Sequence, residues 1–96
     1  MIQMDRTQVW RQLKIEASRY AFENTEDKLH RISSLLHQYY ESLPPEAQKI
    51  KVYIMTQEGT FAVERGQIPK LFDTDEKWRH RILQYLSTLA TSTNTT

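Results

Sequence analysis

The sequence predicts an α+β domain in which three amphipathic helices pack on a small antiparallel β-hairpin, in the order α-α-β-β-α. Three observations carry that expectation. Apolar residues recur at helical spacing in three separate segments, and a proline pair, Pro44 and Pro45, closes the second of them. The stretch "KVYIMTQEGTFAVERG", Lys51 to Gly66, reads as two paired strands and holds both glycines of the chain.

Length and composition set the scale. A chain of 96 residues has room for one core and not for two, so residues 1–90 are expected to form a single compact domain. Hydrophobic content of 39% with 26% charge is too apolar for a disordered chain. The absence of cysteine removes disulfides, thiolate metal ligands and a cysteine nucleophile. A secreted domain of this size usually carries such staples, and "MIQMDRTQVW" has charge where an export signal needs an apolar stretch. The cytoplasm is therefore the expected location. The longest apolar run is four residues, Val52 to Met55, far short of a membrane span.

Asp5 is a fair N-cap for a first helix reaching about Ala21, with Val9, Trp10, Leu13, Ala17, Tyr20 and Ala21 on one stripe. Ile15 and Phe22 fall outside that stripe, beside Arg11, as a small secondary apolar spot. "FENTEDKL" breaks the pattern, because continuing it would bury Asn24 and Lys28. Asn24 or Thr25 can cap a second helix whose first turn carries Glu26 and Asp27, where the helix dipole favours negative charge. One kinked helix is the alternative, since neither glycine nor proline enforces the break.

The second helix shows a broad apolar face of Leu29, Ile32, Leu35, Leu36, Tyr39, Tyr40 and Leu43, with Arg31, Ser34, Gln38 and Ser42 opposite. After Pro44, Pro45 can open a short helical turn through Gln48. "GQIPKLFD" beyond the hairpin reads as a connector pinned by Ile68, Leu71 and Phe72. Asp73 and Glu76 fit a capping box for a third helix from about Thr74 to Thr88, with Trp78, Ile82, Tyr85, Leu86 and Leu89 on one side. The final "TSTNTT", residues 91–96, has nothing to bury and is expected to be a disordered tail.

The hairpin admits two registers. A two-residue loop of Glu58 and Gly59 pairs Ile54 with Val63 and Thr56 with Phe61. It then groups Val52, Ile54, Phe61 and Val63 on one face against Tyr53, Met55 and Ala62. A three-residue loop of Gln57, Glu58 and Gly59 shifts the pairing by one and places Tyr53 and Met55 beside Phe61 and Val63. A left-handed Glu58 in the first register costs about 1–2 kcal/mol, and burying one extra Phe or Val is worth about 1.5–3 kcal/mol, so sequence alone leaves both open. In either, one face packs on helices and the other keeps Tyr53 and Met55 available. An isolated two-stranded sheet is marginal in water and leaves two unpaired edges. The hairpin is thus expected to support self-association, as a homodimer, or docking of a partner protein, by edge pairing or through Tyr53 and Met55.

Other chemistry has less to stand on. His30, His37 and Glu41 share one flank of the second helix, but residues seven apart lie roughly 10.5 Å apart along the axis, too far to share a metal. His37 and Glu41 alone do not make a metal site, so neither metal nor cofactor is expected. Lys77, Arg79 and Arg81 around Trp78 resemble a nucleic-acid surface with an aromatic stacker. The structural explanation is stronger, because Asp73 with Lys77, Asp75 with Arg79 and Glu76 with His80 are all four apart, acid first. Charge is also balanced, with six basic and six acidic residues in 1–43 and seven and six in 44–96, which argues against phosphate neutralisation. Arg11 and Lys14 on the first helix form a second, weaker candidate for protein contact. No glycine-rich phosphate loop, H-E-x-x-H or G-x-S-x-G occurs. The expectation is a small non-enzymatic interaction or regulatory protein of adaptor or inhibitor type, with no catalytic residues. A nucleic-acid-binding regulator using Lys77, Arg79 and Arg81 is the alternative.

Overall fold

The structure is a computed structural model and describes residues 5–92. Its elements are α1 (Arg6–Tyr20), α2 (Glu26–Glu41), the one-turn α3 (Pro45–Gln48), β1 (Lys51–Thr56), β2 (Gly59–Glu64), a 3-10 turn (Arg65–Gln67), α4 (Ile68–Thr74) and α5 (Glu76–Ser92). This is a helical layer on a two-stranded antiparallel hairpin, the architecture expected, with the anticipated turn at Pro45–Gln48 present as α3 and one short helix, α4, added. The proposed tail splits: Thr91 and Ser92 continue α5, and the remaining four residues lie outside those described.

The helix starts follow local chemistry. Asp5 closes a capping box on α1, its carboxylate accepting from the Gln8 amide at 2.9 Å while Gln8 Oε1 accepts from the Asp5 amide at 3.3 Å. Thr25 caps α2 through the Lys28 amide at 3.3 Å, so the first two helices are separate, broken across residues 21–25. At the far end of α2 the Arg6 guanidinium donates to Ser42, through Nη2 to its carbonyl at 3.0 Å and through Nε to its hydroxyl at 3.2 Å. A cation there satisfies a carbonyl the helix leaves free.

The apolar stripes converge as their spacing requires. Leu13, Ile32, Leu36, Ile68, Ile82 and Leu86 are fully buried, and Val9, Ala17, Leu35, Tyr40, Leu43, Phe72 and Leu83 complete the helical part of the core. Trp10, Tyr39 and Tyr40 form a tilted and edge-on aromatic cluster beside it, with centroids 4.7–6.4 Å apart. Only Ile54 and Val63 of the hairpin enter the core fully. Each is worth about 1.5–3 kcal/mol of apolar burial.

Two boundaries differ from expectation for the same reason. The "IPKLFD" segment is helical rather than a connector, because Pro69 falls in the first turn, where no donor is needed, and Ile68 and Phe72 lie one turn apart on a buried face. Since α4 runs through Asp73 and Thr74, Asp73 does not cap the last helix. Asp75, in an extended conformation, takes that role, accepting from the Lys77 amide at 3.0 Å and the Trp78 amide at 3.2 Å. Among the described residues, none of the three anticipated pairs, Asp73 with Lys77, Asp75 with Arg79 or Glu76 with His80, closes as an ion pair.

The hairpin adopts neither anticipated loop. Pairing runs Lys51 with Glu64, Val52 with Val63, Tyr53 with Ala62, Ile54 with Phe61, Met55 with Thr60 and Thr56 with Gly59, so the loop is Gln57 and Glu58. This register differs by two residues from the first expected one, and a slip of two leaves every side chain on its original face. Val52, Ile54, Phe61 and Val63 therefore do share the inner face, with Tyr53, Met55 and Ala62 outside. The shift removes the cost of a left-handed glutamate. No described non-glycine residue has positive φ, and Gly59 alone takes it, at 140°. The Thr56 hydroxyl steadies the loop, accepting from the Glu58 amide and donating to the Gly59 carbonyl, both at 3.1 Å.

A Cβ at Gly59 would meet nothing within 4 Å, so its substitution isolates backbone strain from crowding. Gly59→Ala is expected to lower stability by about 1–3 kcal/mol in urea unfolding. An unchanged midpoint would show that the loop does not depend on positive φ.

Candidate functional site

The hairpin is fixed to the helices along a seam with α5. Phe61 on β2 stands edge-on to Trp78, centroids 6.0 Å apart, and the Arg81 guanidinium lies 3.8 Å over Phe61 and 5.1 Å from the Trp78 ring. Arg81 Nη2 also approaches Glu58 Oε1 in the loop at 3.7 Å. Its side chain is only 17% exposed, and its Nε is buried without a hydrogen-bond partner. That unmade bond costs about 1–3 kcal/mol. The two ring contacts, at roughly 0.5–2 kcal/mol each, offset it, so Arg81 acts as a bolt between loop, strand and helix.

The outer face of the same sheet is bare. Tyr53 is 65% exposed and Met55 76% exposed, side by side on β1 at alternate positions, with Ile50 half exposed just before the strand. Met55 also rims a groove of about 670 Å³ between the hairpin tip, the end of α1 and α5, floored by Ala17, Tyr20 and Leu83. The groove lining contains no carboxylate, lysine or arginine. Phe22, which follows α1, is 89% exposed.

The other sequence candidates are placed as follows. Arg11 is exposed on α1 and Lys14 is half-buried, its ammonium 5.8 Å over the Trp10 ring. Their helix packs mainly on α2 and α5, so they form a patch on a different element from Tyr53 and Met55. Of the basic trio, Lys77 is exposed, whereas Arg79 donates to the carbonyls of Phe72 at 2.9 Å and Asp73 at 3.2 Å, closing the end of α4. With Arg81 held in the stack, two of the three cations are occupied within the fold.

Two polar clusters escaped sequence reasoning. Glu16, almost fully buried on α1, accepts from Arg31 Nε at 2.9 Å and Lys28 Nζ at 3.2 Å on α2. Burial, the largest single influence, pushes its carboxyl pKa up, but the hydrogen bonds and charges of Arg31 and Lys28 outweigh it and hold the pKa below the ordinary value. On the other side of α2, His37 bridges Glu41 Oε2 through Nδ1 at 2.6 Å and Asp73 Oδ2 through Nε2 at 2.7 Å. The Ser33 hydroxyl donates to the other oxygen of Asp73 at 2.6 Å.

This second cluster contains serine, histidine and aspartate in the wrong order for nucleophilic catalysis. Ser33 faces the carboxylate rather than the imidazole, and both ring nitrogens face carboxylates, so neither nitrogen is placed to take a proton from the serine. The hydrogen bond to Glu41 and then that to Asp73 raise the His37 pKa against the opposing effect of burial. For Asp73 burial again raises the pKa, and the hydrogen bonds from Ser33 and His37 with the charges of His37 and Arg79 bring it below the ordinary value. The arrangement clamps α4 onto α2. Among the described residues, no group of three or more His, Cys, Asp or Glu side chains is arranged to hold a metal ion, and no helix is long and apolar enough to cross a membrane.

The fold and surface define a small α+β domain carrying one seam-anchored hairpin with an open outer face. No family model matches the chain, and no curated protein or solved structure matches it.

The clamp has a definite pH signature. A histidine whose folded pKa is raised contributes stability that is complete below its unfolded value, about 6.5, and is lost as pH rises through the folded value. Asp73, depressed, contributes above its unfolded value and loses the contribution as pH falls. Between about pH 4 and 6.5 both operate. The thermal midpoint of His37→Gln is expected to fall further below wild type at about pH 6 than at about pH 8.5. An equal deficit at both would remove the charged clamp.

Proposed function

We propose that this chain is a small non-enzymatic interaction module that docks a protein partner on the outer face of its hairpin. The observation that carries the reading is the pair Tyr53 and Met55, two large side chains at 65% and 76% exposure on a rigidly anchored sheet. Aromatic and methionine side chains are enriched where proteins meet, because they bring large contact area with adaptable packing. Here no ion pair or hydrogen bond within the described residues employs either side chain.

Two further observations support docking over catalysis or phosphate binding. The two clusters of acidic and histidine side chains that the fold brings together hold helices to one another, Glu16 between α1 and α2 and the His37 cluster between α2 and α4. The nucleic-acid alternative through Lys77, Arg79 and Arg81 has less support, since the two arginines are already committed to Phe72, Asp73 and Phe61. Arg11, exposed on α1, remains an accessory protein contact.

Affinity capture with the intact chain is expected to retain a partner protein at both low and high salt, because an apolar face is little screened. Tyr53→Ser with Met55→Ser is expected to lose it while unfolding at the same temperature as wild type. Retention by the double variant would move the docking site elsewhere. Capture of nucleic acid, with affinity falling steeply as salt rises, would replace the reading.

A further inference from the structure

We infer that the free edge of β2 pairs with the β2 edge of a second copy, giving a continuous four-stranded antiparallel sheet across a two-fold axis at Ala62. The inference goes beyond the docking reading of the outer face, concerns the edge of the same sheet, and stands or falls separately from it.

The backbone phase of the hairpin identifies which groups are free. The Arg65 amide donates to the Ile50 carbonyl at 3.0 Å, continuing the strand register by one pair. Hydrogen-bonded and non-hydrogen-bonded pairs alternate in an antiparallel ladder. The bonded pairs are therefore Val52 with Val63, Ile54 with Phe61 and Thr56 with Gly59. Thr60, Ala62 and Glu64 must then turn their amides and carbonyls away from β1. β2 meets α5 through the inner-face side chain of Phe61, against Trp78 and Arg81, while its edge opposite β1 is not the side that those contacts cover. At Thr60 and Ala62, both exposed, this outward row of donors and acceptors has no hydrogen-bond partner among the described residues, whereas the Glu64 carbonyl also opens the 3-10 turn that follows.

This edge also lacks the features that keep edges apart. Natural sheets blunt them with lysine, proline, bulges or covering segments. "GTFAVE" has no lysine or proline, no bulge interrupts its pairing, and its only charge is Glu64 at the end. Thr60 and Ala62 are short and exposed, so a neighbouring strand can approach to ladder distance.

A second copy fits the edge in one symmetric register. Ala62 lies opposite Ala62 of the other chain, each amide donating to the other's carbonyl, and Thr60 lies opposite Glu64, so a hydroxyl faces the only carboxylate. No like charges meet. The same register sets Phe61 opposite Val63 on the inner face, so the apolar side of the sheet continues across the axis. With formal net charge +1, little long-range repulsion opposes two copies meeting.

The test is light scattering of the intact chain over a range of concentrations. Wild type is expected at the mass of two chains. Ala62→Pro removes only an outward donor, at a position where an edge strand tolerates proline, and two bonds are lost per dimer. Its dissociation constant should rise roughly 5- to 150-fold. Should that chain fail to fold, as judged by circular dichroism, an Ala62→Lys chain and an Ala62→Glu chain supply the answer. Each sets like charges face to face across the axis and should be monomeric, and an equal mixture should form a heterodimer. A monomeric wild type overturns the self-pairing while leaving a foreign partner on Tyr53 and Met55 intact. A dimer untouched by Ala62→Pro, or with no preference between the Lys and Glu chains, overturns the edge. A dimer lost only in Tyr53→Ser with Met55→Ser moves self-association to the outer face.

Discussion

A two-stranded hairpin cannot hold its shape by its own ladder, and the rest of this structure follows from how α5 makes up the deficit. Ile54 and Val63 enter the common core, and Arg81 with Trp78 grips Phe61 from the helix side. Everything that stabilises the sheet arrives from one face. The opposite face is consequently left to solvent, and Tyr53 and Met55 are exposed because of this one-sided anchoring rather than by chance placement in a loop. Rigidity and availability thus have the same origin, which is what a docking surface needs if binding is not to spend its energy on ordering the site.

The charged residues tell a parallel story at the helical end. Each long-range polar contact joins two elements: Arg6 ties α1 to the end of α2, Glu16 collects Lys28 and Arg31 from α2, and His37 with Ser33 grips Asp73 of α4. Such bridges are worth most where they are partly desolvated, as at Glu16, and least where both partners face water. Their abundance drains the reserve of free functional groups. Arg79, Arg81 and His37 are thereby committed to the fold, holding the end of α4, the hairpin seam and the α2–α4 contact.

How much of this could be read from the sequence depended on range. Periodicity and caps are local, so the faces of α1 and α2, the break capped by Thr25 and the turn opened by Pro45 were legible. The inner face of the hairpin was legible only within the first of the two registers left open, whose faces survive a slip of two, and not within the second, which set Phe61 and Val63 beside Tyr53 and Met55. The loop position was not, since it turned on whether glycine would occupy the loop or the residue after it, and Gly59 at φ 140° took the latter. Asp73 failed for a different reason. Its spacing to Glu76 matched a cap, but its partners, Ser33 and His37, are 40 and 36 residues away. No local pattern encodes them. Arg81 likewise looked like a surface cation until the fold set Phe61 beneath it. The exposed pair Tyr53 and Met55 was visible early because exposure of an outer strand face is itself a periodic property.

The sheet's outer face and its free edge make different demands on a partner, and they are linked by the twofold alternation of the strand. On each strand the residues that turn their backbones outward are those whose side chains stand on the outer face: Tyr53 and Met55 on β1, Thr60 and Ala62 on β2. On the outer face the large side chains fall on β1 and the small ones on β2. A neighbouring strand needs small residues at the edge so that backbones can approach, whereas a docking face needs large ones so that burial is worth having. The hairpin separates the two requirements between its strands. Added strands beside β2 would widen the platform under Tyr53 and Met55 without covering either, so edge pairing and face docking are compatible uses of one small sheet.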